Sequence, residues 1–100
     1  MLIVSGIISL DPAKHDDAVA LFAPLVEATL AEEGNITYGF WASTSEPGVF
    51  RVYEEWGSTD AMGLHMGSDH MATFLVGMGG LGVTGTEIHQ HTVGESTRLM

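Results

Sequence analysis

Residues 50–70, FRVYEEWGSTDAMGLHMGSDH, decide how this chain folds. From Phe50 to Trp56 the side chains alternate at the two-residue period of a strand. Phe50, Val52, Glu54 and Trp56 share one face, with Arg51 and Tyr53 on the other. Ser58 then offers a cap to a short helix reaching about Met66, and Ser68 caps a second reaching about Val76. His65 shares a helix face with Ala61 and Leu64, and His70 opens the second helix. Acids, aromatics and imidazoles on consecutive elements, interleaved with apolar residues, predict a lined pocket.

Leu2–Leu10 is a β-branched run of strand length. Asp11-Pro12 marks a helix start, a capping acid followed by proline at the first helical position. Ala18, Leu21, Phe22, Leu25 and Thr29 recur at helical spacing, carrying the helix through Glu33. Pro24 inside it predicts a kink. Gly34-Asn35 ends it, with glycine suited to the left-handed C-terminal position. Ile36–Ser43 reads as the second strand and Val49–Trp56 as the third, joined by the turn residues Glu46-Pro47-Gly48. Gly77–Gly82 is a glycine-rich link, Val83–Val93 a last strand and 94–100 a tail. With no repeat and no linker, residues 1–100 are expected to form one domain.

The order is β-α-β-β-α-β, the ferredoxin-like α+β pattern: a four-stranded antiparallel sheet with helices on one face. The other face of such a sheet is normally polar. Here Ile3, Ile7, Trp41, Val49 and Tyr53 fall on it, so the sheet reads as apolar on both sides. A second copy is the economical cover, and a homodimer with the two sheets packed face to face is expected.

Composition narrows the function. The formal net charge is −10, and Lys14, Arg51 and Arg98 are the only fixed cations. Neither nucleic acid nor an anionic membrane is an expected partner, since both need basic footprints. A highly anionic substrate is disfavoured for the same reason. Cysteine is absent, which removes thiolate chemistry and cysteine-type zinc sites. MLIVSGIISLDP lacks a basic leader and reads as a strand, and no apolar run reaches membrane-spanning length, so a cytoplasmic location is expected. Gly77-Met78-Gly79-Gly80-Leu81-Gly82 matches GxGxxG in letters only: no strand precedes it and no helix follows, so nucleotide binding is rejected.

Three stretches carry a resemblance: Glu32-Glu33-Gly34-Asn35, Tyr53-Glu54-Glu55-Trp56, and Ala61-x-x-x-His65-x-x-Ser68-x-His70. Together, over about residues 1–93, the chain resembles the antibiotic biosynthesis monooxygenase domain family. The resemblance implies a dimeric α+β barrel with a pocket between sheet and helices in each protomer. It also implies activities ranging from cofactor-independent oxygenation of aromatic polyketides and quinols to haem degradation and isomerase-like work on a phosphorylated sugar. Haem-degrading relatives carry an asparagine, a tryptophan and a haem-ligating histidine near the places of Gly6, His65 and Leu75. Those roles are vacant here. Three fixed cations suit a phosphorylated sugar poorly.

His65 has two readings: a core histidine satisfied by one partner, or a pocket base. A carboxylate in an apolar row needs a partner, and for Glu54 the candidates are His65 and Arg51, the latter on the opposite face of its own strand. Paired with His65, Glu54 would set its tautomer. His70 belongs at the pocket mouth or on plain surface. Tyr38, Phe40, Tyr53, Trp56 and Phe74 are the candidate aromatic lining, or core, and Met62 and Met66 suit adaptable packing beside it. His89-x-His91 puts two imidazoles on one strand face but lacks a third ligand. His65 and His70, five apart across a helix boundary, do not form a helical ligand pair. No metal and no cofactor is therefore expected.

The leading expectation is a cofactor-independent monooxygenase acting on a small aromatic, quinol or polyketide-like compound. His65 would be its base, Glu54 the group that orients it, and Tyr53 and Trp56 substrate contacts. The alternatives are an isomerase or cyclase that shuttles protons in the same pocket, or a non-catalytic protein that binds a small apolar metabolite.

Overall fold

The computed structural model describes residues 1–100. Its strands are β1 (Leu2–Ser9), β2 (Asn35–Ala42), β3 (Val49–Trp56) and β4 (Gly85–Thr92). Its helices are α1 (His15–Leu30), α2 (Thr59–Met66) and α3 (Asp69–Met78). The strands form one antiparallel sheet in the order β2-β3-β1-β4, the ferredoxin-like arrangement. No helix is long and apolar enough to cross a membrane.

Local chemistry sets most boundaries. Asp11 accepts a bond from the Ala13 backbone N–H at 2.9 Å, with Pro12 next in line. A single 3-10 turn, Pro12–Lys14, comes before α1. Ser58 and Ser68 cap α2 and α3 by accepting from the backbone N–H of Ala61 and Met71. Gly48 takes a φ of 77° in the β2–β3 turn. Pro24 sits inside α1. That helix ends at Leu30, short of the expected Glu33, because residues 31–34 form a tight turn instead.

That turn matters for the site. Gly34 has a φ of 86°, and a Cβ there would come within 2.6 Å of the Ala61 methyl on α2. Only glycine lets the turn after α1 lie this close to α2. The Gly57 N–H donates to the Gly34 carbonyl at 2.8 Å, which fixes the turn to the end of β3 as well.

The core lies between the sheet and the helices. Val4, Ile8, Phe50, Val52 and Trp56 rise from the sheet to meet Ala18, Phe22 and Leu25 of α1 and Met71 and Phe74 of α3. Phe22 stacks on Phe40, with ring centroids 4.0 Å apart and planes 10° apart. Fully burying one such side chain contributes roughly 1.5–3 kcal/mol. β4 has no buried residue, since the helices stop short of that edge.

The opposite face is more mixed than expected. Register places Ser5, Arg51, Glu55, Glu87, His89 and His91 among Ile3, Ile7, Trp41 and Tyr53. Arg51 donates to Ser5 Oγ at 3.0 Å. Trp41 remains half exposed, folded over Gly39, where a Cβ would strike the ring at 2.6 Å.

Candidate functional site

A cavity of about 230 Å³ opens between the sheet and the α2–α3 corner. Val4, Ile8, Phe40, Val52, Met62, Met66, Met71 and Phe74 give it apolar walls, and Ile88 and Gln90 of the uncovered β4 border it. Its inner polar groups are Tyr38, Glu54 and His65. Few polar groups converging in an apolar hollow is the usual form of a small-molecule site.

His65 is the best-held of these. The capped start of α2 aims it at the sheet, and it is buried. Ser68 Oγ donates to the His65 carbonyl at 2.6 Å and accepts from the Met71 N–H, locking the α2–α3 corner. The imidazole lies against the Trp56 and Tyr38 rings. Its Nδ1 sits 2.6 Å from Glu32 Oε2, whereas Nε2 has no protein partner. A carboxylate on Nδ1 fixes the proton there in the neutral ring and leaves Nε2 as an acceptor. This corrects the expected pairing of His65 with Glu54.

Glu54 is occupied elsewhere. Its Oε1 accepts from the Trp56 indole N–H at 2.9 Å. Both side chains rise from the same strand face, two residues apart, so the carboxylate meets the indole N–H, while the Trp56 ring itself packs against His65 of α2. Burial pushes the Glu54 carboxyl above its usual range, the Trp56 bond opposes that, and the nearby Glu32 charge adds to it. Burial chiefly, with the charges of Glu54 and Glu32, pushes the Tyr38 phenol far up.

Phe40, Phe74 and Tyr38 line the cavity. Tyr53 does not: register puts it on the opposite face, where its phenol donates to Glu55 at 2.6 Å. Trp56 is wholly buried beneath the cavity and serves as the donor to Glu54. His70 also stays off the cavity wall, with Nε2 3.0 Å from Glu32 Oε2. On β4, His89 pairs with Glu87 at 3.2 Å and lies 6.3 Å from His91, ring centroid to ring centroid.

Glu32 is the residue that sequence reasoning passed over as a site. It stands 33 positions from His65 and 38 from His70, and no local periodicity joins them. The signal was the Glu32-Glu33-Gly34-Asn35 stretch, whose glycine permits the close turn.

Comparison with known proteins agrees with this architecture. The family model described as antibiotic biosynthesis monooxygenase matches residues 1–76. A crystal structure of a "putative antibiotic biosynthesis monooxygenase" from Deinococcus radiodurans superposes with a TM-score of 0.92 at 26% identity, covering 100% of this chain and 99% of that one. A conserved protein from Methanosarcina mazei superposes with a TM-score of 0.84 at 28% identity, over 90% of this chain and 89% of its own. Among curated sequences, the Bacillus subtilis protein "Putative monooxygenase YcnE" is 28% identical over 75% of this chain and 79% of its own length.

Proposed function

Since the chain belongs to the antibiotic biosynthesis monooxygenase family, we propose that it oxygenates a small phenol or hydroquinone in the cavity beneath α2 and α3. The observation that supports this is the unpartnered Nε2 of buried His65, set in the wall of an apolar cavity while Glu32 holds Nδ1. At about 230 Å³ the cavity exceeds the ~150 Å³ apolar hollow that admits benzene and falls short of the ~300–1,000 Å³ of drug-sized pockets. One or two fused rings suit it better than a tetracyclic polyketide.

In this reading His65 Nε2 takes the phenolic proton, and the Glu32 carboxylate stabilises the imidazolium that forms. The phenolate is electron-rich at the carbon para to its oxygen and reacts there with dioxygen. For 1-naphthol the sum is naphthol plus O2 giving 1,4-naphthoquinone and water. One oxygen atom enters the ring in place of hydrogen, and the other leaves as water with both displaced hydrogens. All four electrons come from the substrate. The methionine and phenylalanine walls exclude water from the anion. Glu54, whose carboxyl burial pushes upward, stands on the same cavity as a second group able to exchange a proton with the substrate. His70 holds Glu32 in place.

The protomer would work as a homodimer through the open sheet face, a role supported by the half-exposed Trp41 and by Ile7 beside it. A second reading, proton-shuttling isomerisation, is favoured by the same pairing of two proton-transfer groups, Glu54 and His65, on one cavity. Incubation of 1-naphthol with the protein in air and under argon separates the two. The oxygenase reading expects quinone only in air, and a loss of about 10²–10⁴-fold in His65→Ala. Turnover that is equal under argon, or unchanged in His65→Ala, overturns it.

A further inference from the structure

Glu32, His65 and His70 come from three separate elements: the turn after α1, the last turn of α2 and the first turn of α3. Their Oε2, Nδ1 and Nε2 atoms nonetheless all lie within 4.8 Å of one another. The oxygen stands between the two nitrogens, at 2.6 Å from one and 3.0 Å from the other. From these positions we infer that the cluster is a binding site for a divalent transition-metal ion of the zinc class.

The donor set is the first reason. Two imidazoles and one carboxylate suit zinc, cobalt or iron and suit magnesium or calcium poorly. Three protein ligands leave one position open for water or another ligand. The second reason is spacing. Metal–ligand bonds of ~2.0–2.1 Å place neighbouring ligand atoms about 3.3 Å apart in a tetrahedron, so the oxygen must withdraw by several tenths of an ångström while the two nitrogens, now within 4.8 Å of each other, draw in toward the ion. Glu32 is partly exposed and ends in rotatable bonds, so it has room to do this. The third reason is charge. Lys14 pairs with Asp17, Arg51 with Ser5 and Arg98 with the C-terminal carbonyl. None of the three serves Glu32. A half-buried acid is ordinarily matched by a cation or a metal, and the chain carries a net −10.

The consequence bears on the cavity. A metal on His65 Nδ1 displaces the proton that Glu32 holds, so the proton moves to Nε2. The face of the ring toward the cavity changes from acceptor to donor. Metal occupancy would then switch off the base, a regulatory effect that rests on the oxygenase reading above. The site itself does not rest on it.

The test uses the full chain, stripped with chelator and titrated with cobalt(II) chloride alone. The expected result is one ion per chain, with the visible absorption of four-coordinate cobalt and paramagnetic broadening of the His65 and His70 ring signals. His70→Ala should weaken binding by about 100-fold or more, beyond the usual loss for an outer-shell partner. The double variant His89→Ala/His91→Ala should bind as the parent does. Absence of saturable binding overturns the proposal. So does binding that survives His70→Ala, is lost in the double variant, or broadens His89 and His91 instead. Should His70→Ala fail to fold, the broadening pattern of the parent protein decides the matter. No substrate is present in this titration. A failed metal site would therefore leave the oxygenase reading standing, and failed turnover would leave the metal site standing.

Discussion

On one face of β3 the Trp56 indole donates to Glu54 at 2.9 Å; on the other the Tyr53 phenol donates to Glu55 at 2.6 Å. Both pairs join an aromatic and an acid two residues apart on the same strand. Burial separates them. Glu54 is 8% exposed and Trp56 0%, and the carboxyl shifts because water has been removed from it. On the open side the phenol is the group that shifts, first because Glu55 holds its proton and only then through burial. The motif alone therefore carries no chemistry. The helices that cover one face and leave the other open make one pair part of a site and the other a surface contact.

The largest expected difference is in stability. Trp56→Ala removes a wholly buried indole and leaves Glu54 without its donor. It should cost about 3–5 kcal/mol, or more with the stranded carboxyl, read from urea unfolding. Tyr53→Phe, the matching deletion on the open face, should cost no more than about 1 kcal/mol. Equal losses would break the comparison.

The next difference is in pH dependence. The folded value of Glu54 lies above its unfolded value, so the folded chain keeps a proton that the unfolded chain has lost. The stability this provides is complete below the ordinary glutamate value of about 4.3. It is lost as pH rises through the raised folded value, with a slope of at most ~1.4 kcal/mol per pH unit. Unfolding of Glu54→Gln across that window should lack this slope, whereas Glu55→Gln should keep it. A slope that persists in Glu54→Gln would assign it to another group.

A smaller change concerns association. Trp41→Arg puts a charge into the open face without touching the cavity. It should shift sedimentation from dimer toward monomer, with the circular dichroism spectrum unchanged. A dimer that is indifferent to this charge would place the contact elsewhere. The smallest effect is spectroscopic. The Tyr53 phenol is pushed up to about 12, chiefly by its bond to Glu55. Alkaline ultraviolet titration of Glu55→Gln should show one tyrosine titrating lower than in the parent, and no change would contradict the bond.

The fold was legible because its signals are local. Alternation fixed β3 at Val49–Trp56, Ser58 and Ser68 marked both short helices, and Gly34 and Gly48 sit where the chain needs a positive φ. The site was half legible for a physical reason. Alternation puts Tyr53 and Trp56 on opposite faces, with Tyr53 away from the helices, but both faces of β3 carry an aromatic beside an acid, so residue type alone offered Tyr53 as a substrate contact too. The partner of His65 was beyond reach for another reason. Glu54 was the nearest acid on a neighbouring element, while Glu32 arrives through a turn that exists only because Gly34 clears Ala61. Contacts of that span depend on the packed fold, and no periodicity records them.

The proposed chemistry stands or falls on the state of the His65 ring. Two-dimensional nitrogen–proton correlation spectra of the metal-free protein distinguish its two neutral tautomers directly. The prediction is a proton on Nδ1, shifted downfield by the Glu32 carboxylate, and a bare Nε2, with the downfield shift lost in Glu32→Ala. A proton found on Nε2, or a spectrum that Glu32→Ala leaves unchanged, would contradict it.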